Sequence, residues 1–330
     1  MESEFNVRRL EPQEWNRWDE FVARSPQGTL FHSSSWLDAQ GTPFQILGCF
    51  SNDELTGGIA IENVGCRSAG HGRLTPYLGM VLPPPAKKYV TTITLEKKVS
   101  AACARHLKHD FDSIYCRMSP DHLDLQPFIW EGYAVGVRYT YRLPLDDLDD
   151  IWKNMESTRR NDIRSAVKNG IAVDSDVEFS QLFSLVESTF DRQGQCAMFR
   201  TAAFRTHEIL ASQKRCRAFL ARDAAGEDLA AAYIVWDEKC AYYILGGYDA
   251  RKSHRGAGAL AIWEAIQFSA RSLGLPLFDF EGSTIQSIER FFRDFGGILT
   301  PSYTVTWKRR SLQRDINRVK NRIIRILARR

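Results

Sequence analysis

Asp279 and Glu281 stand two residues apart in the segment Phe278-Asp279-Phe280-Glu281. Side chains alternate across an extended strand, so this spacing sets both carboxylates on one face and both phenylalanines on the other. Partial burial penalises the charged form of a carboxyl and raises its pKa, which lets it take a proton from a reacting group near neutral pH. Either residue is a candidate general base, and either could equally pair with an arginine or cap the helix that follows. Tyr248, closing another strand-like run, is a weaker candidate for protonating a leaving group. Before the carboxylates lies Arg251-Lys252-Ser253-His254-Arg255-Gly256-Ala257-Gly258, directly ahead of an apolar helix. Backbone N–H groups at a helix N-terminus carry the positive end of the dipole, and glycines let an anion approach closely. Ser253, His254, Arg255, Gly256 and Gly258 are therefore candidate phosphate-binding residues, the alternative being a solvated basic turn. Arg160, Arg164 and Lys168 recur at four-residue steps along one helix face, a stripe suited to phosphate or simply to water.

These residues need elements to hold them. Hydrophobic period predicts helices over residues 12–24, 34–40, 93–107 and 123–130, with strands over 44–49, 57–63, 112–117 and 133–143. Residues 75–85 read as a strand-loop broken by Pro and Gly. After the acidic connector 144–150 the order repeats: helices over 151–169, 179–191 and 204–212, and strands over 218–223, 229–236 and 242–248. A helix over 258–273, a buried strand over 277–281, a helix over 285–294 and a strand over 302–308 complete it. The expected fold class is α/β with two similar domains, residues 1–145 and 146–310, followed by a basic helix over 311–330.

With 330 residues, 44% hydrophobic and 25% charged, the chain has the composition of an ordinary globular protein long enough for two cores. No apolar run approaches a membrane span, and the charged first ten residues do not read as a signal peptide, so a cytoplasmic protein is expected. Seven dispersed cysteines without a CxxC pair or a Cys/His cluster point to reduced thiols and to no metal site. The net charge of +4 is uneven: residues 308–330 carry +9 and the remainder −5. Leu312, Ile316, Val319, Ile323 and Leu327 make this tail amphipathic, able to lie on an anionic membrane, to hold tRNA phosphate or to pack on the body.

The second half resembles the Fem-type aminoacyltransferases and related acetyltransferase domains, a branch of the GNAT superfamily built from two tandem GNAT-like domains. The resemblance runs through residues 158–170, 188–194, 246–258 and 278–297, the last ending in Phe-Gly-Gly, and through Thr75-Pro76 and Gly79 in the first half. It implies mixed, mostly antiparallel sheets flanked by helices, a donor site in the second domain bordered by Asp279 and Glu281, and an acceptor-shaping first domain without a donor site. It also places Arg192 and Tyr77 near the acceptor. In GNAT proteins a Gln/Arg-x-x-Gly-x-Gly/Ala loop holds the pyrophosphate of coenzyme A, and here the leading position is Ser253. Many Fem transferases carry a lysine where this chain has Phe292. The departure tilts the implied donor from aminoacyl-tRNA toward acyl-CoA, with an amine of a cell-envelope or polysaccharide precursor as acceptor. Two alternatives stay open: an aminoacyl-tRNA-dependent enzyme acting on a peptidoglycan precursor, and a non-catalytic adaptor that binds membrane or a partner.

Overall fold

The computed structural model describes residues 5–309 apart from Gln193, Gln195, Ala250, Ser253 and Ser283, so the basic segment 311–330 lies outside the described residues. The first half runs β1 (Asn6–Arg9), α1 (Trp15–Arg24), α2 (Ser34–Ala39), β2 (Phe44–Ser51), β3 (Glu54–Gly65), β4 (Ser68–Gly70), β5 (Met80–Val81), α3 (Tyr89–Asp110), β6 (Ser113–Arg117), α4 (Gln126–Trp130) and β7 (Ala134–Pro144). The second runs α5 (Leu148–Asn154), α6 (Ser157–Lys168), β8 (Ala172–Asp174), α7 (Phe179–Arg192), α8 (Arg200–Ser212), β9 (Cys216–Arg222), β10 (Asp228–Trp236), β11 (Ala241–Tyr248), α9 (Ala257–Arg271), β12 (Leu277–Asp279), α10 (Gln286–Arg293) and β13 (Ile298–Lys308).

All these strands join one sheet, in the order β1-β2-β3-β4-β6-β13-β7-β12-β11-β10-β9-β8, with β5 paired to β3. The last strand of each half is exchanged. β7 pairs with β12, and β13, from the end of the second half, inserts between β6 and β7. Helices cover both faces of the sheet. One apolar cluster gathers α6, α9 and α10 against β10 and β12. On the opposite face α7 and α8 pack over β10 and β11 together with Phe31, Trp36 and Tyr77 of the first half. Phe31 meets Tyr242 edge-on at 4.8 Å, a contact that ties the halves through their aromatic cores.

Local chemistry explains where the structure departs from the periodic reading. The helix expected over 151–169 is two helices. The side chain of Asp147 caps the first by accepting the N–H groups of Asp149 and Asp150, while Met155 and Glu156 are extended and Glu156 N–H donates to the Asp294 carbonyl at 2.9 Å. The strand expected to reach Glu281 stops at Asp279, because Glu281 (φ 58°) and Gly282 (φ 69°) turn left-handed. A Cβ at Gly282 would lie 2.0 Å from the Tyr139 carbonyl oxygen, so only glycine fits.

Two parallel pairs interrupt the antiparallel ladder, β4 with β6 and β11 with β12, and each touches over only two residues. In the second half the contact is Ala241 with Phe278 and Tyr242 with Asp279, after which the strands part. β12 ends at Asp279 with the left-handed turn, and beside this point the β10–β11 register shifts between Tyr233 and Ile234, a bulge.

Candidate active site

Asp279 closes β12 directly opposite Arg142 of β7 and is fully buried. Its carboxylate accepts the Thr140 hydroxyl at 2.5 Å, the Arg142 Nε–H at 3.2 Å, the Tyr77 hydroxyl at 3.1 Å and the Glu281 N–H at 2.7 Å. Arg142 in turn forks onto Asp121 at 2.9 and 3.0 Å. With its oxygens so engaged, Asp279 holds the turn in place. Tyr77, expected near the acceptor, comes from the far side of the sequence to join this network. Burial, then the charges of Asp279 and Glu281, hold its hydroxyl well above the usual phenol range.

Glu281 is different. It reaches the site by a left-handed turn rather than by strand alternation, a conformation that costs a non-glycine residue about 1–2 kcal/mol. Its Oε1 is buried with no hydrogen-bond partner among the described residues. Burial, reinforced by the Asp279 charge and only partly offset by Arg117, raises its pKa well above the carboxylate range. It lies two residues past the last β11–β12 contact.

The first half brings further polar atoms that the sequence reading missed. Glu62 Oε2, Asn63 Oδ1, His71 Nε2 and Arg117 Nε are all buried and unpartnered among the described residues. Glu62 accepts the Thr75 hydroxyl at 3.1 Å, and burial raises its pKa. Burial and then the charge of Arg117 lower the pKa of His71 to about 4, so its ring is neutral. The sequence did hold a signal: Glu62 interrupts the apolar run of β3, and His71 sits between two glycines. A buried polar group without a partner is uncommon enough to ask what meets it.

The loop expected to bind phosphate precedes α9, with Ser253 outside the described residues. His254 Nδ1 accepts the Gly256 N–H at 3.1 Å, and the Gly258 and Ala259 N–H groups have no partner among the described residues. Arg255 pairs with Asp162 at 3.1 Å while its side chain remains 80% exposed. A Cβ on Gly256 would lie 1.9 Å from the Asp162 carbonyl oxygen, whereas one at Gly258 meets nothing closer than 3.9 Å. The approach of α6 therefore dictates the glycine at 256. Tyr248 is exposed, with the Arg192 guanidinium 4.1 Å above its ring. Six residues of β11 separate it from Tyr242, a distance of about 20 Å, so it stands with the loop and away from the carboxylates.

The basic stripe on α6 is mostly engaged. Arg160 donates to the carbonyls of Trp152, Lys153 and Met155 at 3.2, 2.6 and 2.5 Å, satisfying the end of α5, and Arg164 lies over Trp152 at 5.3 Å. Arg159 is buried over Phe291. Phe292 packs edge-on against Tyr243 at 5.7 Å and beside Phe280 at 5.4 Å, which makes the site of the missing lysine part of the core. Among the described residues no group of three or more His, Cys, Asp or Glu side chains could hold a metal ion.

Parallel strands that stop pairing after two residues, followed by a glycine loop at a helix N-terminus, are the arrangement of a GNAT-type acyltransferase domain. Residues 155–293 match the acetyltransferase (GNAT) domain family, and the chain has a Fem-like, tandem GNAT architecture. Its fold is similar to that of FemX, with a TM-score of 0.63 at 13% identity over 90% of this chain and 96% of that one. A tandem GNAT protein from the clavulanic acid biosynthesis pathway matches with a TM-score of 0.56 at 13% identity, covering 92% and 98% of the two chains. L-PGS from Bacillus licheniformis matches with a TM-score of 0.54 at 14% identity, covering 95% and 97%. No curated protein matches the sequence.

Proposed function

We propose that the chain transfers an acyl group from acyl-CoA to an amine borne by a cell-envelope or polysaccharide precursor, with Glu281 as general base. The division of labour follows the sequence halves: residues 146–310 hold the donor and residues 1–145 shape the acceptor side. The donor phosphates meet the free N–H groups of Gly258 and Ala259, with Arg255 as an exposed counter-charge. Tyr248 and Arg192 form a platform beside that loop, a role that replaces the proton donation first considered for the tyrosine. The donor's extended arm lies along the edge of β11 that β12 leaves unpaired, where backbone groups can pair with its amides.

At the apex the amine nitrogen attacks the thioester carbonyl carbon. Glu281 takes the proton released from nitrogen, the C–S bond breaks, and the departing thiolate recovers that proton to leave as the free thiol. N–H groups on the open β11 edge are the donors available to the tetrahedral oxyanion. Glu62, His71 and Arg117 supply the unpaired polar atoms that receive the acceptor. One observation carries this reading: Oε1 of Glu281 is buried and without a partner among the described residues, two positions past the last β11–β12 contact.

The fold likeness to FemX and L-PGS supports an envelope precursor as acceptor, and residues 311–330, with their excess of positive charge, suit contact with an anionic membrane surface. Calorimetry with acetyl-CoA and with an aminoacylated minihelix tests the donor. Heat with acetyl-CoA supports the proposal, heat with the minihelix alone transfers the assignment to aminoacyl-tRNA, and heat with neither leaves the adaptor reading. A panel of amino sugars assayed for thiol release then tests the reaction, which Glu281→Gln should slow by about 10²- to 10⁴-fold.

A further inference from the structure

A sizeable cavity lies elsewhere. A cleft of about 1040 Å³ opens between α3, α4 and the loop that follows β6, lined by the first half and by Tyr303 of the inserted strand β13. That volume suffices for a small organic ligand. His122, at 1% exposure, lines it, and among the described residues neither ring nitrogen has a hydrogen-bond partner of good geometry, the Asp124 backbone being the polar group that acts on the ring. Burial, only partly offset by that backbone and by the Asp124 charge, lowers its pKa to about 4. The imidazole is therefore neutral, presenting one donor and one acceptor, the complement of a hydroxyl or amide and a poor match for an anion.

The rest of the lining agrees. Lys97 is bound to Asp124 and Arg142 to Asp121, so Glu96 and the exposed Lys87 are the charges that remain and the lining has no positive excess. A phosphate would find no excess of positive charge there to hold it. The rim is apolar, with Tyr89, Leu123 and Ile129 at 79%, 74% and 53% exposure, and large side chains left in water around a concavity mark a surface that something covers. Asp121 in the wall is the carboxylate onto which Arg142 forks while also holding Asp279, so the cleft and the turn of Glu281 share one ion-paired arginine.

We infer that this cleft binds a neutral, hydroxyl-rich head group carried on an apolar chain, the head hydrogen-bonded to His122 and the chain laid over Tyr89, Leu123 and Ile129. The site is separate from the donor split and does not depend on the transfer reaction. A glycoside and a glycerol ester share this chemistry. Calorimetry on the full chain with octyl glucoside below its micelle concentration, 1-octanoylglycerol, sodium octyl sulfate and free glucose separates the sources. Saturable binding of octyl glucoside or of octanoylglycerol supports the site and says which head group it prefers, with octyl sulfate and glucose each at least about tenfold weaker. His122→Phe should weaken binding of the preferred neutral ligand about tenfold. Leu123→Asp, at an exposed position that cannot disturb the core, should weaken it similarly while acetyl-CoA binding is unchanged. No saturable binding of either neutral ligand, a preference for octyl sulfate, or unaltered binding by Leu123→Asp would overturn the inference.

Discussion

The sheet contains the same device twice, and the two copies end differently. In the first half β4 meets β6 at Ser68 with Ser113 and Ala69 with Ile114, then the strands part. The chain returns to fill that gap: Leu78 bridges to Arg117, its N–H donating to the Arg117 carbonyl at 2.8 Å, and β5 goes on to pair with β3. In the second half β12 stops after its two pairs and no described segment pairs with the rest of that β11 edge. Beyond it stands the glycine loop of α9, whereas Lys88 precedes α3 in the first half without a comparable loop. A split that refills with its own chain gives a wall, and a split left open gives a slot for a ligand. That difference is the reason the donor is proposed for the second half, while the first brings Tyr77 onto Asp279 and the charge of Arg117 to bear on Glu281.

The largest expected effect of breaking this arrangement is on rate. Glu281→Gln keeps the shape of the turn, and thiol release should fall about 10²- to 10⁴-fold without loss of cooperative unfolding. An unchanged rate would move the base elsewhere. Next comes stability: Asp279→Ala leaves Arg142 with a single partner and removes the acceptor for Thr140, Tyr77 and the Glu281 N–H. A loss of about 3–5 kcal/mol is expected from the denaturation midpoint.

The two halves should also answer pH with opposite signs. His71 and His122 have folded pKa values of about 4, below their unfolded values near 6.5, so the stability they give is present above about pH 6.5 and drains as pH falls toward 4. Glu281 is raised, so its contribution is complete below its unfolded pKa and is lost as pH climbs through the folded value. Midpoints measured from pH 4 to 8 should show Glu281→Gln gaining on the wild type as pH rises, and His122→Phe losing less than the wild type as pH falls. Parallel curves would contradict these environments. The smallest effect belongs to Arg255→Glu. Its exposed side chain acts through solvent, so acetyl-CoA affinity should fall only several-fold, and less at high salt.

How much of this was legible in the sequence depends on range. Helices and strands followed from period, and the loop at 254–258 and the pair Asp279 and Glu281 stood out because their chemistry is local. The insertion of β13 between β6 and β7, and the hydrogen bond of Tyr77 to a carboxylate 202 residues away, leave no mark on any local pattern. Arg160 and Gly256 looked functional for good chemical reasons, yet the first satisfies the carbonyls ending α5 and the second admits the backbone of α6. Glu62 is visible as a carboxylate in an apolar strand, but its place against Gly72 and Thr75 emerges only on folding.

Hydrogen–deuterium exchange with and without acetyl-CoA tests the central claim most directly, since it needs no acceptor. The account predicts added protection along Tyr243 to Tyr248 on the open edge of β11 and at Gly258 to Leu260 in the first turn of α9, with residues 70–89 of the first half unchanged. Protection over residues 70–89 instead, or the same exchange throughout the chain at saturating acetyl-CoA, would contradict it.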